Sequence, residues 1–211
     1  MRLYLASTSP ARLALLRAAG IEPVVMPSDV DEPAAVAAAE QFSGPLSAPA
    51  MVELLARTKA EAVALSRGSE IDGLIFGGDS AFELDGIIYG KPHLPEIARE
   101  RWHAQRGRTG LLHSGHWLID RSTGGTGSAV GAVATASVTF ADDVTDAEID
   151  AYVASGEPLA VAGAFTIDSL GGPFIDRVEG DPSTVVGLSL STLRRLVREL
   201  GYDWTGLWNL L

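Results

Sequence analysis

Apolar positions along this chain switch repeatedly between a period near two and a period near 3.6. Residues 2–6 alternate weakly and predict a short strand. Ser7-Thr8-Ser9-Pro10 then marks a helix start, with Ser9 as N-cap and Pro10 at the first helical position. Leu13, Leu16 and Ala19 supply an apolar face at helical spacing, and Gly20 closes that helix. A strand pattern returns at 22–26. Residues 33–50, rich in Ala, Pro, Ser and Gly, predict a loop with room for a short alanine-rich helix. A long helix is predicted over 49–66, with Val52, Leu55, Ala56, Ala62 and Val63 on its buried side. Leu74-Ile75-Phe76 predicts a short buried strand ending at Gly77-Gly78-Asp79, and the segment 82–89 turns at Asp85-Gly86, a hairpin signal.

The second half continues the alternation. Residues 95–105 predict a helix, and strands over 111–120 and 129–140 flank a Gly/Ser/Thr-rich hairpin loop at 122–128. A helix over 145–155 opens with Thr145 as N-cap and Glu148 at the capping-box position. A strand over 174–178 follows, and Leu193, Leu196, Val197 and Leu200 mark a last helix. No internal repeat is evident, and the order of elements predicts a mixed α/β fold. The 211 residues suit a single domain, 1–211, or two small lobes sharing a cleft. With 46% apolar residues the chain can bury a sizeable core.

Composition narrows the chemistry. No apolar run approaches the length of a membrane span, and the opening stretch is too short for a secretory signal, so a cytoplasmic location is expected. The absence of cysteine excludes disulfides, thiolate metal sites and a cysteine nucleophile. A formal net charge of −11 serves solubility and argues against duplex nucleic acid as a partner. An acidic protein that binds a polyphosphate has to gather cations locally or recruit a metal. Cations here are mostly arginine; Lys59 and Lys91 are the chain's only two lysines.

Several segments carry candidate chemistry. Ser7-Thr8-Ser9-Pro10-Ala11-Arg12 lies where a strand enters a helix, offering backbone N–H groups, hydroxyls and a guanidinium at a positive dipole end. The same residues also describe an ordinary capped helix start. Asp29, Asp31 and Glu32 are three acids within four residues, by themselves a solvated turn. Asp79 is expected at a strand's carboxyl end beside two glycines, where ligands collect in α/β sheets. Gly90-Lys91-Pro92 is not a Walker A loop, because three residues rather than four separate Gly86 from Gly90 and Pro92 replaces the metal-binding hydroxyl. Lys91 can still meet phosphate as a point charge. Lys59, four residues after Leu55, points partly inward and either covers apolar surface with its stem or presents its charge. His93, His103, His113 and His116 show no zinc spacing and read as surface or packing residues, and Trp204 and Trp208 read as packing.

Taken in order, Ser7-Thr8-Ser9-Pro10-Ala11-Arg12, Val30-Asp31-Glu32, Arg57-Thr58-Lys59-Ala60, Gly78-Asp79-Ser80, Gly90-Lys91-Pro92, Ala162-Gly163-Ala164-Phe165 and Glu179-Gly180-Asp181-Pro182 through Val186-Gly187-Leu188 form a series. It resembles the Maf family of nucleoside triphosphate pyrophosphatases over about residues 3–200. The resemblance implies an elongated mixed sheet flanked by helices, similar to inosine triphosphatases, with two lobes, a central cleft and frequent dimerisation. It implies hydrolysis between the α- and β-phosphates of a nucleoside triphosphate, assisted by Mg2+ or Mn2+, with a role in keeping modified nucleotides out of nucleic acids. Arg12, Lys59 and Lys91, helped by Ser7 and Ser9, would bind the triphosphate. Glu32 and Asp79 would hold the metal, with Asp79 also the base for the attacking water. Independent chemistry agrees, since hard cations take one or two carboxylates plus phosphate and water oxygens.

Three positions depart from the family pattern. Ala11 stands where a first arginine is common, Ser80 where Thr or Gln is common, and Phe165-Thr166-Ile167-Asp168 where pyrimidine-preferring members carry Tyr-Gly-Ile-Gln. Ser80 and Asp168 are therefore accessory site candidates, and the base accepted stays open between standard pyrimidines and modified nucleotides such as 7-methyl-GTP. Two rival readings exist. A serine esterase built on Gly78-Asp79-Ser80 would need a late histidine, and none follows His116. A nucleotide-binding regulator of division or septum formation would not need the full set Glu32, Asp79, Lys59 and Lys91.

Overall fold

The computed structural model describes residues 1–125 and 127–210. Its elements run β1 (Leu3–Ala6), α1 (Pro10–Ala18), β2 (Val24–Val25), α2 (Glu32–Ser43), α3 (Ala48–Arg67), β3 (Leu74–Leu84), β4 (Ile87–Tyr89), α4 (Pro95–Gln105), β5 (Thr109–Asp120), β6 (Ala129–Phe140), α5 (Asp146–Ala154), β7 (Ile175–Glu179), α6 (Pro182–Val186) and α7 (Leu190–Glu199). The strands form one mixed sheet in the order β2-β1-β3-β5-β6-β7, with β4 beside the far end of β3. β1 is parallel to β2 and β3, and the pairings of β3 with β4 and β5, β5 with β6, and β6 with β7 are antiparallel.

Side-chain alternation along the strands assigns the two faces. Leu3, Leu5, Leu74 and Phe76 pack with Leu16 of α1 and Leu193, Leu196 and Val197 of α7. Tyr4, Ala6 and Ile75 point the other way, against Ala60, Val63 and Ala64 of α3. The far end of the sheet has its own core, in which Phe82, Leu84, Leu112, Val138 and Phe140 meet Trp102 of α4 and Ile149 and Tyr152 of α5. Its rings meet edge to face, as Trp102 and Phe140 do at 5.5 Å and 85°. β3 therefore runs from one apolar region into another.

Local signals explain most element boundaries. Ser9 caps α1, with its side chain accepting from the Arg12 amide. Thr145 and Glu148 complete the expected capping box on α5. Asp85 and Gly86 take positive φ in the hairpin between β3 and β4. The Trp208 ring lies against Gly20, and Trp204 packs on the α1–α7 side of the sheet, as the packing reading anticipated.

Other expectations need correction. The strand expected to stop at Gly77-Gly78-Asp79 continues to Leu84, so Asp79 is mid-strand rather than at a carboxyl end. Unbroken pairing with β5, from Leu74 opposite Asp120 to Glu83 opposite Leu111, carries the strand through residues of poor strand propensity. The short alanine-rich helix allowed within the 33–50 loop is longer than expected: α2 spans twelve residues and is capped by Asp31 and Gly44. Its residues all stay partly or fully exposed, so it leaves no apolar period to read. The strand expected at 22–26 shrinks to Val24–Val25, and α6 was not foreseen. The hairpin loop expected at 122–128 includes Thr126, which lies outside the described residues, as does Leu211 at the end of the 1–211 domain. Among the described residues no helix is long and apolar enough to cross a membrane.

At Gly77 the sheet closely approaches α3: a methyl group there would overlap the Ala56 carbonyl oxygen. Gly77→Ala should therefore destabilise the fold by about 1–3 kcal/mol in urea denaturation, the usual range for overpacking. Gly90→Ala, where added carbon meets open space, should change stability by less than about 0.5 kcal/mol. Equal midpoints for the two variants would contradict this account of the β3–α3 contact.

Candidate active site

Between its two apolar ends β3 carries Gly78, Asp79, Ser80 and Ala81. On one edge β3 is paired throughout with β5. On the other, β1 pairs with residues 74–77 and β4 with residues 82–84. Among the described residues no strand pairs with 78–81 on that edge, and there the chain leaving β1 turns through Ser7 into α1. A gap in the ladder between two apolar cores is where polar side chains can be held without a core to exclude them.

Asp79 faces α3. Its Oδ1 accepts from Lys59 Nζ at 2.7 Å, and Glu32 Oε1, at the first turn of α2, lies 2.7 Å from the same nitrogen. Lys59 and Asp79 are 8% and 9% exposed, whereas the Glu32 side chain is 47% exposed. Two carboxylates thus converge on one buried ammonium. Burial is the largest influence on the Asp79 carboxyl and pushes its pKa up, while Lys59 and Arg12 pull it back.

Ser80 faces the opposite side of the sheet, where Arg12 lies buried. Arg12 donates through Nε to the Gly187 carbonyl at 2.8 Å, through Nη1 to Ser7 Oγ at 3.1 Å and through Nη2 to Ser80 Oγ at 3.0 Å. The Ser80 hydroxyl shares a hydrogen bond with Ser114, and Ser114 donates to the Thr184 carbonyl. Burial lowers the guanidinium's pKa, against the pull of Asp79 and Glu32. A Cβ at Gly78 would sit 3.2 Å from Arg12 Nε, so this glycine gives Arg12 its path across β3. Gly77 and Gly78 thereby open opposite faces, one for α3 and one for Arg12.

The structure brings Glu32, Lys59, Asp79, Arg12, Ser7 and Ser80 together. Ser7 accepts from both the Ser9 amide and Arg12, while Ser9 is spent on capping α1. Ala11 stands half-buried in the first turn of α1, and Arg12 is the guanidinium of this turn. Lys91 is exposed on the loop after β4 and makes no ion pair among the described residues. That loop is tied to the segment before Phe165 by the Gly163 amide on the Gly90 carbonyl and the His93 amide on the Leu159 carbonyl. Asp168 is exposed too, and the group that organises its loop is Glu157, which the sequence reading passed over. Glu157 accepts from the hydroxyls of Tyr152, Thr166 and Ser169 and from the amides of Leu170 and Gly171. Partial burial pulls its pKa up, but these donors outweigh it and hold the carboxyl at about 2.

A second wall is built from the segment 179–188, which the motif series includes without a role for its residues. Asp181 caps α6 and gathers Ser183, Ser189 and Ser191 around its carboxylate, which fixes the α6–α7 turn that presents the Gly187 carbonyl to Arg12. His116 Nε2, fully buried on β5, accepts the Ser189 amide at 2.9 Å. The readable signal was Asp181-Pro182, an N-cap followed by proline. Among the described residues no three His, Asp or Glu side chains are grouped to hold a metal ion. A cation at this site would have Glu32 and Asp79 as its protein carboxylates and would need further oxygens from phosphate and water.

Comparison with known proteins gives consistent matches. Residues 2–200 match the family of Maf-like proteins. The nucleoside triphosphate pyrophosphatase of Leifsonia xyli subsp. xyli is 79% identical, covering 99% of this chain and 97% of that one. The protein of the same name from Salinispora tropica is 52% identical, covering 99% and 88%. Among solved structures, a nucleoside-triphosphatase (dITP/XTP pyrophosphatase) from Mycobacterium abscessus aligns over 95% of this chain and 97% of its own, with 14% identity and a TM-score of 0.40.

Burial holds the His116 pKa down to about 4, against an ordinary 6.5. The unfolded chain therefore takes up a proton first as the pH falls, so the neutral ring's contribution is complete above pH 6.5 and is lost toward pH 4. His116→Gln keeps a side-chain acceptor for the Ser189 amide but cannot titrate. The difference in unfolding free energy between wild type and this variant should change across that window, by up to roughly 3 kcal/mol, and be flat above it. A pH-independent difference would remove His116 as the acid-sensitive group.

Proposed function

The chain belongs to the Maf-like family, and on that premise we propose that it is a nucleoside triphosphate pyrophosphatase, converting its substrate to a nucleoside monophosphate and pyrophosphate. The observation that carries this reading is the convergence of Glu32 and Asp79 on Lys59 in the ladder gap of β3. Carboxylates held a hydrogen bond away from one nitrogen are close enough to share a Mg2+ or Mn2+ ion, and their two-acid set suits a hard cation completed by phosphate oxygens. When bound, the ion would supply charge neutralisation for the triphosphate and its leaving group.

The chain's own residues would do the rest. Lys59 would pair with phosphate oxygens, and the first turn of α1 would add backbone donors at a positive dipole end. Lys91, on its exposed loop, would close on the phosphates from the far side. Arg12, held by Ser7, Ser80 and Gly187, lends a fixed positive charge at the junction of β1, β3 and the α6–α7 turn. Asp79 would accept the proton of a water whose oxygen attacks the α-phosphorus, breaking the bond to the bridging oxygen and releasing pyrophosphate. Its place inside a doubly anchored strand supports this role, because a base must be positioned before it is tuned. The loop that runs from Phe165 to Asp168, organised by Glu157, borders the Lys91 loop and is the candidate reader of the base, a standard pyrimidine or a modified nucleotide.

The test is pyrophosphate release from a panel of standard and modified triphosphates, with and without magnesium or manganese. Excess chelator should abolish turnover, and either ion should restore it; hydrolysis undiminished by chelation would rule out the metal. Asp79→Asn should lower kcat by about 10²–10⁴-fold, the usual worth of a general base, while melting as a folded protein. Turnover within about threefold of wild type, well under that range, would reassign the base.

A further inference from the structure

We propose that Lys59 is a resident counter-ion that keeps a divalent cation off Glu32 and Asp79 until a triphosphate arrives to take its ammonium. The inference rests on the metal reading above and concerns the order in which the site fills.

Lys59 Nζ lies 2.7 Å from both Glu32 Oε1 and Asp79 Oδ1, so the two acids that would hold the ion are already occupied by one group. Lys59 and Asp79 are nearly excluded from solvent. A cation entering alone must displace the ammonium and leave it buried without an anionic partner, which is costly. A cation entering with a triphosphate gives the same ammonium a phosphate oxygen to bind. With Arg12 nearby, the empty site also balances two negative against two positive side chains, and a lone divalent ion would leave it with surplus positive charge. Metal and triphosphate are therefore coupled through the position of one lysine, each raising the affinity of the other.

The two acids are not equivalent in this exchange. Asp79 is fixed in β3, paired on both sides of its residue run. Glu32 is half-exposed at the first turn of α2, so it is the acid free to turn between the lysine and an incoming ion.

The test is Mn2+ binding without nucleotide, read from the free-ion EPR signal and from the Mn2+-induced shift in melting temperature. Lys59→Met and Lys59→Gln should each bind Mn2+ on the order of tenfold or more tightly than wild type, the scale of one charge-assisted contact removed from competition. The glutamine variant keeps a donor in the pocket and serves if the methionine variant does not fold. Adding Asp79→Asn to either should abolish the gain. Arg12→Gln removes a nearby charge that makes no hydrogen bond to either acid among the described residues, and it should give a smaller increase. Unchanged or weaker Mn2+ binding in both Lys59 variants would overturn the proposal, as would an equal gain in Arg12→Gln, which would reduce the effect to charge at a distance. If wild-type turnover still requires metal in those cases, the metal reading survives and only the guarding role falls; turnover in excess chelator would overturn the metal reading itself.

Discussion

The close approach at Gly77 and Gly78 is the constraint on which the rest of this structure depends. β3 must pass between α3 on one face and the Arg12 side chain on the other; the first contact leaves no room for a Cβ, and the second leaves only a tight fit. By the alternation of the strand, Asp79 follows Gly77 onto the α3 face and Ser80 follows Gly78 onto the Arg12 face. Asp79 goes to Lys59 and Ser80 goes to Arg12. The two cationic halves of the site are thus divided by the sheet itself and meet only at the gap in its ladder.

The α6–α7 turn shows how a remote segment completes such a seam. Arg12 is reached from 175 residues away by the Gly187 carbonyl. Three serine hydroxyls around Asp181 and the Ser189 amide on His116 hold that turn in place. Donors to the Asp181 carboxylate outweigh its partial burial and keep its pKa at about 2, so the wall is anchored by an ionised group through the neutral range.

How much of this was legible beforehand depended on whether the signal was local. Ser9, Thr145 with Glu148, and Asp85-Gly86 are short-range devices, and each acts where the sequence placed it. The inward lean of Lys59 was readable from its spacing after Leu55. The length of β3 was not, because its glycines and acid mimic a strand end while partners supplied by β5 carry it onward. α2 was legible only from its alanine-rich composition, because a helix that buries none of its side chains has no apolar period to fix its length. Glu157 and His116 could not be found by any pattern, since their partners lie in loops and strands brought near only by folding. The candidate site residues were named through an ordered series of short motifs; the structure sets Glu32, Lys59 and Asp79 side by side and leaves Lys91 and Asp168 on exposed loops.

The two carboxylates also belong to layers of unequal permanence. Asp79 sits in β3, which β5 holds along one edge past both sides of this residue. Glu32 belongs to a helix with no buried side chain, which can open and close many times while the sheet stays intact. One half of the candidate site is therefore anchored by the sheet, and the other by a helix whose lack of buried side chains puts it among the elements that open at low free-energy cost.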